Sequence, residues 1–171
     1  MEIIIKNKRG DYTGLLFLIV NIAAFAIFLL IIGYIAPQIS DNLATQIGTT
    51  TTVNNSLNVV RSISENTLPT IWLMMFGGLI LGLFATSYFI KTHPIFVPIF
   101  GLLLIVAIMV AVPLSNAYEA LAENVILDDA AAHQVLIVFI MVNLPLITLI
   151  LGLITLVITF AKKDDGGATL A

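Results

Sequence analysis

Long uncharged apolar runs alternate with polar intervals along this chain, and the run lengths decide what they are. A helix rises 1.5 Å per residue and the hydrocarbon core of a bilayer is about 30 Å thick, so about 20 mostly apolar residues cross it. Four runs reach that length, at about 13–36, 68–90, 94–114 and 133–161. The pattern predicts an all-α fold, an integral membrane four-helix bundle, with residues 1–171 forming a single transmembrane domain. The first run is longer than the apolar core of a signal peptide and is expected to remain as a span.

The longest polar interval, 37–67, reads PQISDNLATQIGTTTTVNNSLNVVRSISENT. Ile39, Leu43 and Ile47 recur at steps of four, and Val53, Leu57, Val60 and Ser64 at steps of four, three and four. Those are helical periods, interrupted by Gly48 and the threonine run. They predict a hairpin of two short amphipathic helices, the first extending span one and the second leading into span two; a solvated loop is the alternative. Thr67 is expected to cap span two, with Pro69 in its first turn. Asn54-Asn55-Ser56 matches the glycosylation acceptor pattern, a motif frequent by chance. Between spans two and three only Lys91-Thr92-His93 intervene, so those spans are expected to be antiparallel neighbours. Pro94 suits the first position of the incoming helix, which makes His93 a turn residue rather than a chemical group.

Inside the spans, Met74, Gly78, Gly82 and Thr86 share one face, and Gly78 to Gly82 is a GxxxG. Lipid tails are as apolar as leucine, so helices associate in a membrane where small residues let backbones approach. Packing within the chain is the expected use of that face, and packing between copies is the alternative. Asn21 in span one and Asn143 in span four are the strongly polar side chains at depth. Both are expected to hydrogen-bond across helices, Asn143 also with groups freed by Pro145. Thr148, Thr155 and Thr159 add a ragged polar stripe to span four. Pro98 falls in the first turns of span three, and Pro113 is expected to kink its far end.

Composition agrees with this picture. The chain is 60% hydrophobic and 10% charged, against about 25% charged residues in a soluble domain. Its mean hydropathy is +1.10. It contains no cysteine, which excludes disulfides, thiolate metal sites and thiol nucleophiles. Net charge is −3, but its distribution carries more information. Lysine and arginine collect on the cytoplasmic side of membrane proteins. Lys6, Lys8, Arg9, Lys91, Lys162 and Lys163 fall on one side of a four-span layout, and Arg61 alone on the other. Both termini and Lys91 are therefore expected on the cytoplasmic or equivalent side. The 37–67 hairpin and an outer acidic loop, 115–132, are then on the opposite side. The N-terminal arm, with Ile3, Ile4 and Ile5 beside its basic residues, reads as an interfacial anchor.

The 115–132 loop places Tyr118 as an interfacial aromatic and carries Glu119, Glu123, Asp128 and Asp129 with no base of its own. Those four acids suit a cation or a basic partner; the plainer alternative is a solvated continuation of the helix. No EF-hand spacing is present. The spans hold no Asp, Glu, Lys or Arg at depth, whereas proton-coupled carriers use ionisable groups there. His93 and His133 fall on opposite sides and cannot share a metal. No nucleophile elbow, zinc-protease motif, P-loop or dinucleotide fingerprint occurs. No enzyme, cofactor or metal site is expected, and no sequence-specific contact with nucleic acid.

The stretch THPIFVPIFGLLLIVAIMVAVPLSNAYEALAEN carries a resemblance. A helix opened by His-Pro-Ile-Phe and closed by Ser-Asn-Ala-Tyr-Glu resembles, over residues 87–124, small multi-span membrane proteins encoded by membrane-containing viruses and proviruses of archaea and bacteria. The resemblance implies a structural component of a virion membrane that packs in many copies and links the bilayer to capsid proteins. The residues leave two other roles open: an oligomeric passive channel or holin-like pore, and a scaffold of the host cell membrane.

Overall fold

The computed structural model describes residues 12–47, 51–89 and 97–160. Lys6, Lys8, Arg9, Gly48, Lys91, Thr92, His93, Pro94, Lys162 and Lys163 lie outside the described residues, and so do the expectations placed on them. The described chain is helical throughout, with no strand: α1 (Tyr12–Ile47), α2 (Thr51–Ser62), a π turn (Ile63–Thr67), α3 (Leu68–Phe89), α4 (Val97–Ala122), α5 (Asp128–Ala132), α6 (Val135–Val142) and α7 (Leu144–Phe160). Among the described residues three helices are long and apolar enough to cross a membrane, and a fourth crossing exists if α6 and α7 form one span.

The described residues of the first polar interval are helical, as its periodicity predicts. α1 runs for 36 residues through Pro37, about 54 Å at 1.5 Å per residue. α2 packs beside its C-terminal part and leads into α3. Thr67 caps nothing, because the helix is already running when it arrives; the expected start of span two is a π turn. Pro69 explains the widening. It has no N–H to offer the Glu65 carbonyl, and its ring crowds that carbonyl. The Leu68 N–H instead reaches the Ile63 carbonyl five residues back.

The third interval follows the plainer of its two readings, a continuation of the helix and then a turn. α4 continues past Pro113 to Ala122, so the first part of the 115–132 loop is helix. A turn at 123–127 and the single-turn α5 complete it. The last apolar run is broken. α6 and α7 meet at Asn143 with a bend of 72°, and Asn143 has left helical geometry at φ −96°, ψ 16°. Pro145 is the cause: its ring presses on the Met141 carbonyl and disfavours helix at the preceding residue.

The core lies where α1 and α4 pack. Ala23 and Ala26 of α1 and Ala107 and Ala111 of α4 are completely buried, the small residues that close helix contact in lipid requires. Trp72, Tyr118, Ile137 and Met141 join the same cluster. On α7, Thr148, Gly152, Thr155 and Thr159 are buried on one face, and α4 lays Leu104 directly on Gly152. The threonine stripe is thus a packing face within the chain.

Candidate functional site: the α6–α7 bend and the cleft beside it

Buried polar groups concentrate around the bend, and each interaction follows from a local break in the backbone. Once the chain turns at Asn143, the last carbonyls of α6 lose their helical partners. Ser115 of α4 donates its hydroxyl to the Val142 carbonyl at 2.6 Å. Asn143 donates its side-chain amide to Phe139 of its own helix at 2.8 Å. The bond between helices at this point comes from Ser115, and Asn143 caps α6, which corrects the expectation of a cross-helix asparagine.

A second polar layer lies at the other end of α6. Gln134 is 2% exposed and donates through Nε2 to the Leu29 carbonyl of α1 at 3.0 Å. Gly33 makes room for it: a Cβ there would lie 2.7 Å from Gln134 Nε2. Gln134 Oε1 is buried with no hydrogen-bond partner among the described residues, as is Tyr118 Oη. Tyr118 is wholly buried, not interfacial as its position in the sequence suggests.

Around these layers sits an ion cluster. Arg61, the only lysine or arginine among the described residues, donates from Nε to Glu65 Oε1 at 2.8 Å and places Nη1 3.8 Å from Asp41 Oδ1. α1 and the π turn thus meet at one guanidinium, and Asp129 of α5 adds a weaker, through-space attraction. The acidic segment has no base within itself, yet the fold brings it one from α2. Glu119 is half-buried, and Glu123, Asp128 and Asp129 are exposed. Among the described residues no group of His, Asp and Glu has a metal-holding arrangement.

Between the start of α3 and the start of α6 a half-open cleft of about 260 Å³ remains. Glu65, Asn66, Thr70 and His133 line one end and Leu73, Leu136 and Ile137 the other. The π turn borders the first wall, and the α5–α6 junction supplies the second.

Among the described residues nothing packs on the glycine pair of α3: Gly78 and Gly82 are exposed, and nothing lies within 4 Å of a Cβ built at either. The expected intramolecular packing is not made by the described helices. Met74 is 73% and Leu81 70% exposed, so the whole face points outward. Asn21 is exposed on α1.

Three participants escaped the sequence reading: Ser115, Gln134 and Arg61. Ser115 extends the buried small-residue series Ala107, Ala111 at steps of four, a visible signal. Gln134 shares a face with Ile137, Met141 and Leu144 at steps of three, four and three, and a glutamine on an apolar face requires a partner. Arg61 is legible as the lone base of its side, but its partners depend on the fold. No known protein family matches the chain, and neither a curated protein nor a solved structure matches it.

Proposed function

We propose that this protein is a non-enzymatic structural component of a membrane, packed side by side in many copies through the outer face of α3. The observation that carries the reading is the outward glycine face: Gly78 and Gly82 leave two backbone notches that none of the described residues fills. Small residues are where helices approach closely in lipid, and a neighbouring copy brings the same face. The resemblance of residues 87–124 supplies the setting, a virion membrane whose proteins link the bilayer to a capsid. In that setting both termini and Lys91 lie on the cytoplasmic-equivalent side, by the positive-inside bias. The α1–α2 hairpin and the acids Glu119, Glu123, Asp128 and Asp129 lie on the other, where a basic partner protein or a cation meets them. A channel draws less support, because Thr148, Thr155 and Thr159 are buried within the bundle.

The chain has no cysteine, so single cysteines report contacts cleanly. Cysteine at position 78 or 82 is expected to cross-link copies in membranes, and cysteine at the buried position 111 is not. Gly78→Leu with Gly82→Leu is expected to abolish that cross-linking while the monomer still folds. Cross-linking unchanged by the leucines removes this interface. The viral setting is tested separately: mass spectrometry of purified particles that lack the protein ends that part of the proposal.

A further inference from the structure

The cleft between α3 and α6 is graded in polarity along the direction in which both helices run. On the α3 wall the order is Glu65, Asn66, Thr70, Leu73; on the α6 wall it is His133, then Leu136 and Ile137. Glu65 and Leu73 are eight residues apart, about 12 Å along the axis at 1.5 Å per residue. Between the hydrocarbon edge and bulk water a bilayer has a polar layer of about 5–7 Å on each side. A distance of about 12 Å is enough to pass from head-group depth into hydrocarbon. Such a gradient suits a molecule polar at one end and apolar at the other.

Charge narrows the class. Glu65 keeps 16% of its side chain exposed while bonded to Arg61. Three carboxylates, Glu65, Asp41 and Asp129, act on that one guanidinium. An excess of carboxylates repels an anionic head group and attracts an ammonium. Beneath the rim, Gln134 is 2% exposed and its Oε1 has no partner among the described residues, so the floor is polar and fixed.

We propose that the cleft holds one acyl chain of a phospholipid whose head group carries a primary ammonium. The ammonium donates to the Glu65 carboxylate, with Asn66 and Thr70 beside it, and the phosphate accepts from His133. The chain lies along Leu73, Leu136 and Ile137. This site is independent of the α3 glycine face and of any viral setting, since its lining comes from one copy.

The test uses the full-length protein in vesicles containing a phosphatidylethanolamine with a photoreactive acyl chain, and maps labelled peptides by mass spectrometry. Labelling is expected in several-fold excess at Leu73 and Leu136 over Leu81 and Leu102; Leu136 is 60% exposed, close to the 70% and 63% of the two controls, so exposure alone would label them evenly. Leu136→Trp fills the cleft and removes the excess; Leu102→Trp leaves it. Glu65→Gln, on the rim, keeps the cleft open and loses the preference for the ammonium, which guards against a tryptophan variant that fails to fold. Unlabelled phosphatidylethanolamine competes, while phosphatidylglycerol does not. Even labelling over cleft and open positions means annular contact only and overturns the site. Equal competition by phosphatidylglycerol overturns the head-group assignment.

Discussion

Substituting Gly33 by alanine tests whether the carboxamide of Gln134 ties the last apolar run to the first helix. The added Cβ would stand 2.7 Å from Gln134 Nε2 and 3.5 Å from the Ala130 Cβ. The second distance is ordinary contact, so the strain falls on the glutamine. Gln134 retreats and loses its 3.0 Å bond to the Leu29 carbonyl. Its Oε1 already lacks a partner among the described residues, so the whole carboxamide is left buried and unpaired, at about 1–3 kcal/mol. Alanine returns about 0.5–1 kcal/mol through its better helix propensity. The expected net loss is about 1 kcal/mol. In a Gln134→Ala background the obstacle is gone, and Gly33→Ala is expected to stabilise by about 0.5–1 kcal/mol. The sign therefore reverses between the two backgrounds. Trp72 is the single tryptophan and is 1% exposed in the same core. Its fluorescence during detergent-driven unfolding reads the four variants of the cycle. An equal cost of Gly33→Ala in both backgrounds would refute the role given to Gln134.

Two further outcomes follow from the same geometry. Ser115→Ala strands the Val142 carbonyl at the bend and is expected to lower stability by about 1 kcal/mol in the same unfolding measurement; an unchanged midpoint means that another group serves that carbonyl. Arg61→Gln removes exposed pairs with Glu65 and Asp41, each worth under about 1 kcal/mol and weakened by salt. It is expected to speed hydrogen exchange in α2 at low salt while leaving the Trp72 transition in place, and loss of that transition would show that the cluster holds the whole fold.

Local periodicity was enough to make the 37–67 interval helical and to place the apolar helices, because both depend on residue order alone. Direction was another matter. A GxxxG names a face of α3 but not what that face meets, and the fold turns Gly78 and Gly82 outward. Asn21 and Asn143 were read as interhelical because buried amides need partners, yet Asn21 is exposed. Asn143 was drawn into capping α6 by the damage Pro145 does to the helix. Tyr118 was read from its distance past Pro113, but α4 continues and carries it into the core beside Trp72. The Gln134–Leu29 bond joins residues 105 apart in sequence, and no local pattern encodes such a pairing. Pro69 held the clearest unread signal, since a proline arriving in a helix already under way forces the π turn that borders the cleft.

The length of α1 has a mechanical consequence. A helix of 36 residues, about 54 Å long, exceeds a hydrocarbon core of about 30 Å by more than 20 Å, whatever its depth of insertion. Beside it α2, the π turn and α3 run 39 residues as one continuous column. The two helical rods lie side by side, with Asp41 facing Arg61 between them. Wherever one end of such a pair is embedded in lipid, the other end would stand out as a rigid post of fixed height rather than as a loop.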